Sequence, residues 1–201
     1  MGYAKSDDTK RRLLSATGRL LRARGYAATG LSAIVKESCV PKGSLYHHFP
    51  GGKAEVAGAA VARSGRAVVE RLTELADRAG DPIAAVRAFC DGYVEQLRAS
   101  AYQRGCPLAT VALEAAPDVD EVHAACAEAF DGIVALIAER LEARGLTPEA
   151  ARAEATHTVS AIEGALVLAK AKRDVRPVEL VRDRLVRDLE RAIAEAKEGA
   201  P

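Results

Sequence analysis

The chain has no tryptophan, three phenylalanines, five tyrosines and one methionine in 201 residues, so aromatic side chains make up only 4% of it. That shortage argues against a sheet-based fold, because strand formers are diluted throughout by Ala, Leu, Glu and Arg, which favour helices. Long apolar runs are also missing. No stretch approaches the roughly 18 uninterrupted apolar residues of a membrane helix. Met1 to Lys10 lacks the apolar centre of a secretory signal, so the expected location is the cytoplasm. Cysteine is sparse, and Cys39, Cys90, Cys106 and Cys126 form no C-x-x-C pair, which argues against a disulfide framework and for buried thiols. Net charge is nearly absent at +1.

That near-neutrality hides a segregation. Residues 1–53 hold ten Lys/Arg against three Asp/Glu, whereas residues 54–201 hold nineteen against twenty-five. A basic head and an acidic body suit a polyanionic partner for the first quarter of the chain only, since Lys and Arg at phosphates supply most non-specific DNA affinity.

The pattern along the chain is helical and punctuated. Asp7 or Asp8 is placed to cap a first helix that carries Leu13, Thr17, Leu20 and Leu21 on one face and stops at Gly25. A short second helix begins near Thr29 or Gly30 with Leu31, Ile34 and Val35 at helical spacing. Cys39-Val40-Pro41 breaks it. A third short helix follows, with Leu45 and Phe49 facing inward, until Pro50-Gly51-Gly52. Lys53 opens a long amphipathic helix to about Ala79, and Gly80-Asp81-Pro82 punctuates the next, which is expected to reach about Arg104. Further helices are expected from Gly105-Cys106-Pro107 to about Ala115, from Val119 to Arg144, from Pro148 to Arg173 and from Pro177 to Lys197. The expected fold is all-α, about nine helices. A three-helix helix-turn-helix head spans 1–53 and a helical ligand-binding and dimerising body spans 54–201.

The third helix carries the chemistry. Lys42, Ser44, Tyr46, His47 and His48 crowd two turns with hydrogen-bond donors, more than packing requires. Gly51-Gly52-Lys53 is no phosphate loop, because His47 and Ala54 stand where a Walker sequence needs Gly and Ser or Thr. No paired acid and base, no nucleophile–His set and no cofactor loop is present, so neither catalysis nor a cofactor is expected.

The segment from Gly30 to Lys53, centred on Lys42-Gly-Ser-Leu-Tyr-His-His-Phe49, resembles the DNA-binding domain of TetR-family transcriptional regulators. The body is similar to the LmrA/YxaF-like branch through Gly105-Cys-Pro-Leu-Ala109, Glu114 and the break at Pro117. The resemblance implies that the third helix reads a DNA major groove, with Gly43 leaving the backbone bare for close approach and Lys42, Ser44 and His47 pointing donors at base edges. Tyr46 and His48 brace the core while offering polar tips to phosphate. Thr29 and Lys53 match positions that contact the DNA backbone in the family, and Cys39 stands where many members carry Gly.

The resemblance also implies a body that holds a small, apolar or aromatic effector, with Phe89, Tyr93, Leu108, Phe130 and Glu163 as candidate lining. Dimerisation is expected through the last two helices, where Ala161, Ala165 and Ala169 form one strip and Val178, Val181, Leu185 and Leu189 another; the alternative for both is packing within the chain. His123 and Cys126, one helical turn apart, have the spacing of a metal pair, and Cys106 beside a helix break that of a thiol sensor, but simple packing accounts for all three; no metal is expected. The leading expectation is a repressor that leaves operator DNA when the effector binds. The alternative is a helical small-molecule-binding protein or enzyme with a vestigial head, which DNA binding would exclude.

Overall fold

The computed structural model describes residues 2–114 and 119–198. Among the described residues there are nine helices and no strand: α1 (Gly2–Arg24), α2 (Leu31–Ser38), α3 (Lys42–His48), α4 (Lys53–Ala79), α5 (Pro82–Ala99), α6 (Pro107–Glu114), α7 (Asp120–Glu142), α8 (Pro148–Lys172) and α9 (Arg176–Glu198). No described helix is long and apolar enough to cross a membrane.

The boundaries follow local chemistry. Asp81 accepts a hydrogen bond from the Ala84 amide at 3.1 Å and Thr147 accepts one from Ala150 at 3.3 Å, each followed by a proline preset for the first turn. Gly25 closes α1 at φ +73°, a left-handed conformation that costs glycine nothing. Two boundaries differ from the sequence expectation. α1 begins at Gly2 and not at Asp7 or Asp8, and Asp8 instead pairs with Arg11 one turn along the helix. α5 stops at Ala99 and not near Arg104, because Ala101 and Tyr102 turn left-handed (φ 47° and 62°) and the Tyr102 amide folds back to the Leu97 carbonyl at 2.8 Å. The expected break at Pro117 lies outside the described residues.

The chain divides into two compact units, Met1–Arg66 with Cys106–Phe130, and Ala67–Gly105 with Asp131–Pro201. This division does not follow a cut after Lys53. In the first unit, Leu13, Leu20, Ile34, Val40, Leu45, Phe49 and Val56 make the core of the head. α1 packs against α2, α3 and also α6. Glycines permit further close approaches: a Cβ on Gly25 would fall on the Glu114 carboxylate, one on Gly58 would lie 3.1 Å from the Glu121 carbonyl oxygen, and one on Gly65 would lie 2.4 Å from the Ala129 Cβ. α6 and the first half of α7 therefore share a unit with the head.

Between α2 and α3, Cys39 holds φ 52° and ψ 38°, and Arg12 donates to the Ser38 and Cys39 carbonyls at 2.9 and 3.0 Å, satisfying the end of α2. A non-glycine residue in the left-handed region costs roughly 1 kcal/mol or more. Cys39→Gly is therefore expected to raise stability by about 0.5–1 kcal/mol, read as a higher urea midpoint at unchanged slope. A lowered midpoint would show that the thiol side chain contributes more than the strain removes.

In the second unit, α9 packs against α5 and α8. Val178, Leu185 and Leu189 of α9 and Ala165 and Ala169 of α8 are all buried within this one chain. The apolar stripe of α9 thus packs on α5 and α8 of its own chain. Around it Arg182 bonds Asp183 at 2.8 Å and also Asp91, and Arg98 reaches Glu179 at 3.3 Å. The Arg182 guanidinium holds the Asp183 carboxyl below its ordinary range.

Candidate nucleic-acid interface

α2, the turn at Cys39–Pro41 and α3 form a helix-turn-helix whose last helix is only seven residues long. Its inward side is fixed by Leu45 and by Phe49 just past its end, 0% and 2% exposed, which leaves the remaining faces of the helix turned away from the core. Lys42, Gly43, Tyr46 and His47 are exposed, and Ser44 and His48 are half-buried beside them. A Cβ at Gly43 would meet nothing within 4 Å, so that stretch of backbone is bare toward solvent. The His47 and His48 rings meet edge to face at 5.2 Å, and the Lys42 ammonium stands 6.0 Å from the centre of the Tyr46 ring. The result is a short, firmly seated ridge of donors on a basic unit.

Thr29 and Lys53 come from outside this ridge. Thr29 is 1% exposed, and its hydroxyl donates to the Gly25 carbonyl at 2.6 Å while its amide donates to Tyr26 at 3.1 Å. Its side chain thus shapes the loop between α1 and α2. Lys53, the first residue of α4, is half-buried and places its ammonium 4.3 Å from the centre of the Tyr26 ring and 3.4 Å from the Ala27 carbonyl oxygen. Tyr26 was not singled out from the sequence; its position directly after the Gly25 stop was the available signal. Burial, helped by the Glu121 carboxylate, pushes its phenol above the ordinary range, so the ring is neutral. Glu55 accepts from the Gly51 amide at 2.8 Å, capping the entry to α4.

The residues proposed for an effector fall in both units. Phe89 and Tyr93 stack edge to face on α5 at 5.0 Å, and Glu163 lies on α8 in the same unit. Leu108 and Phe130 belong to the other unit, where Leu108 is fully buried and its carbonyl faces the Cys126 sulfur at 3.9 Å. Thr158 on α8 is 0% exposed, set among Ala155 and Ile162, and its hydroxyl has no partner. None of the four cysteines is in a disulfide, and Cys90, Cys106 and Cys126 are buried, whereas Cys39 is exposed, against the expectation of buried thiols throughout. Burial pushes the Cys90 thiol up to about 12 and raises that of Cys126. His123 is exposed and Cys126 buried, so they face different surroundings, and no group of three metal-ligating side chains occurs among the described residues.

Comparison with known proteins agrees with this geometry. Residues 13–60 match the family model for bacterial regulatory proteins of the tetR family, and residues 82–184 match that for the LmrA/YxaF-like transcriptional regulator C-terminal domain. The HTH-type transcriptional regulator YxaF of Bacillus subtilis is 34% identical over 178 residues, covering 89% of this chain and 93% of that protein. The HTH-type transcriptional repressor NemR of Escherichia coli is 29% identical over 136 residues, covering 67% of this chain and 68% of its own. Among solved structures, the regulatory protein TetR of Rhodobacter sphaeroides superimposes with a TM-score of 0.75 at 26% identity, covering 88% of this chain and 96% of that one.

Proposed function

Because the chain belongs to the TetR family of DNA-binding transcriptional regulators, in its LmrA/YxaF-like branch, we propose that it is a homodimeric repressor released from its operator by a small effector. The observation that carries this is the donor ridge of α3, seated on buried Leu45 and Phe49 in the basic head. Lys42, Ser44 and His47 read base edges, Gly43 allows close approach, and Tyr46, His48 and Lys53 hold phosphates. Thr29 acts from beneath, through the loop it locks. Function divides near Lys53: residues 1–53 bind DNA, and residues 54–201 bind the effector and the second protomer. No catalytic step is assigned to any residue, and the protein acts in the cytoplasm, where its DNA is.

The dimer contact uses the outward faces of α8 and α9. Gly164, Val167 and Leu168 lie on one outward side of α8 and Leu180 on the outside of α9; Val167, Leu168 and Leu180 are large apolar side chains left exposed in the single chain. That side suits a two-fold contact that places two recognition helices on successive major grooves. For the effector, the aromatic pair Phe89–Tyr93 supports an aromatic or apolar ligand, and the partnerless Thr158 hydroxyl supports one that also carries a polar atom. Effector and DNA then oppose each other through a body conformation that only one of them tolerates.

The test is binding to the DNA upstream of its own gene across salt concentrations. The logarithm of affinity is expected to fall with the logarithm of salt with a slope of roughly −5 or steeper, from several phosphate contacts per dimer. Lys53→Ala should weaken all sequences alike, and Ser44→Ala or His47→Ala should change the preference among operator variants. A flat salt response would reject DNA binding, and identical behaviour of the three variants would reject the separation of phosphate from base contacts.

A further inference from the structure

We infer that Tyr26 is a positioning residue for DNA binding, its ring face holding the Lys53 ammonium ready for a backbone phosphate. The inference rests on the assignment of Lys53 to phosphate made above.

A lysine is a compact charge on a flexible four-carbon stem, and it loses rotamer freedom when it settles on a phosphate. Lys53 has already lost much of that freedom. Its ammonium lies 4.3 Å from the Tyr26 ring centre, well inside the range of a cation–π contact, and donates to the Ala27 carbonyl at 3.4 Å. The pairs Lys42–Tyr46 and Lys10–Phe49, at 6.0 Å, sit only at the edge of that range. An ammonium has three N–H donors. The carbonyl takes one and the ring attracts another, which leaves donor capacity for an anion. Neither contact competes as a counter-ion would, because a neutral ring and an amide carbonyl carry no net charge.

The backbone that carries the ring is itself tied down. Thr29 ties the loop twice, hydroxyl to Gly25 and amide to Tyr26, so the residue that resemblance placed at the DNA acts one step behind it. The loop after α1 and the first residue of α4 are thereby joined across 26 positions of sequence.

Because a phosphate contact is independent of sequence, a labelled 30-base-pair duplex of arbitrary sequence is a sufficient probe. Anisotropy titration of the full-length protein is expected to show Tyr26→Leu binding about five-fold more weakly per head, or about twenty-five-fold when both heads engage. Tyr26→Phe keeps the ring and should stay within about two-fold of the parent. On a Lys53→Ala background, Tyr26→Leu should have no further effect. Thermal melts by circular dichroism accompany each variant. An equal loss from Tyr26→Leu with and without Lys53, or a Tyr26→Phe protein as weak as Tyr26→Leu, would overturn the positioning role and leave a structural one. Tyr26→Leu binding like the parent while Lys53→Ala is weakened would overturn the inference alone. Unchanged binding of Lys53→Ala would overturn the phosphate assignment and the inference with it.

Discussion

Leu185→Asp is expected to unfold the second unit and leave no intact dimer to measure. Leu185 is 1% exposed on the side of α9 that packs within its own chain, among Val178, Val186 and Leu189. A carboxylate there loses its water, and burying it without a partner costs at least about 4 kcal/mol, a large share of the 5–15 kcal/mol that separates folded from unfolded domains. Loss of helical circular dichroism at room temperature, or a melting point lowered by well over ten degrees, is the expected record. Leu168→Arg makes the opposite prediction from the same helix pair. Leu168 is 50% exposed on α8, so the charge stays solvated in the monomer: the melt of the isolated chain should be nearly unchanged while light scattering shifts from dimer to monomer. A folded, dimeric Leu185→Asp protein would mean that α9 does not bury this stripe.

This contrast shows where sequence stops being informative. The amphipathic stripe of α9 was legible, because Val178, Leu185 and Leu189 recur at helical spacing, but the same spacing serves a partner in the same chain or in another. Only the positions of α5 and α8 decide between them. Helix ends at Asp81-Pro82 and Thr147-Pro148 were legible because capping is local chemistry. The end of α5 was not: Ala101 and Tyr102 are ordinary helix residues that adopt left-handed geometry with no glycine to announce it. In the candidate site, α3 could be read residue by residue, since its donors and its buried Leu45 and Phe49 lie within one short segment. Tyr26 could not, since its contact with Lys53 joins two segments that only the fold brings together. The burial of Thr29 was hidden for the same reason, as its bonds to Gly25 and Tyr26 depend on how the loop closes.

Gly65→Ala is expected to destabilise the protein although it replaces a mid-helix glycine by the best helix former. Gly65 is buried in α4, and a Cβ there would lie 2.4 Å from the Cβ and 3.1 Å from the Cα of Ala129 on α7. Carbon atoms pack favourably at about 3.5–4.0 Å, so the two helices would have to separate by roughly 1 Å. Neither contacting atom belongs to a flexible side chain that could swing away. The gain in helix propensity is about 1 kcal/mol, whereas overpacking of a tight interface costs about 1–3 kcal/mol and more where backbone must move. Because backbone must move here the clash wins, with an expected net loss of up to about 2 kcal/mol, as much as several degrees of melting temperature for a chain of this size. Gly92→Ala supplies the control, because Gly92 is exposed in α5 and a Cβ there would meet nothing within 4 Å. That variant keeps the propensity gain without the clash and should be stabilised by about 0.5–1 kcal/mol. Opposite shifts of the two melting curves would establish the close crossing of α4 and α7. A rise for both would mean that the helices stand further apart at Gly65 than an alanine requires.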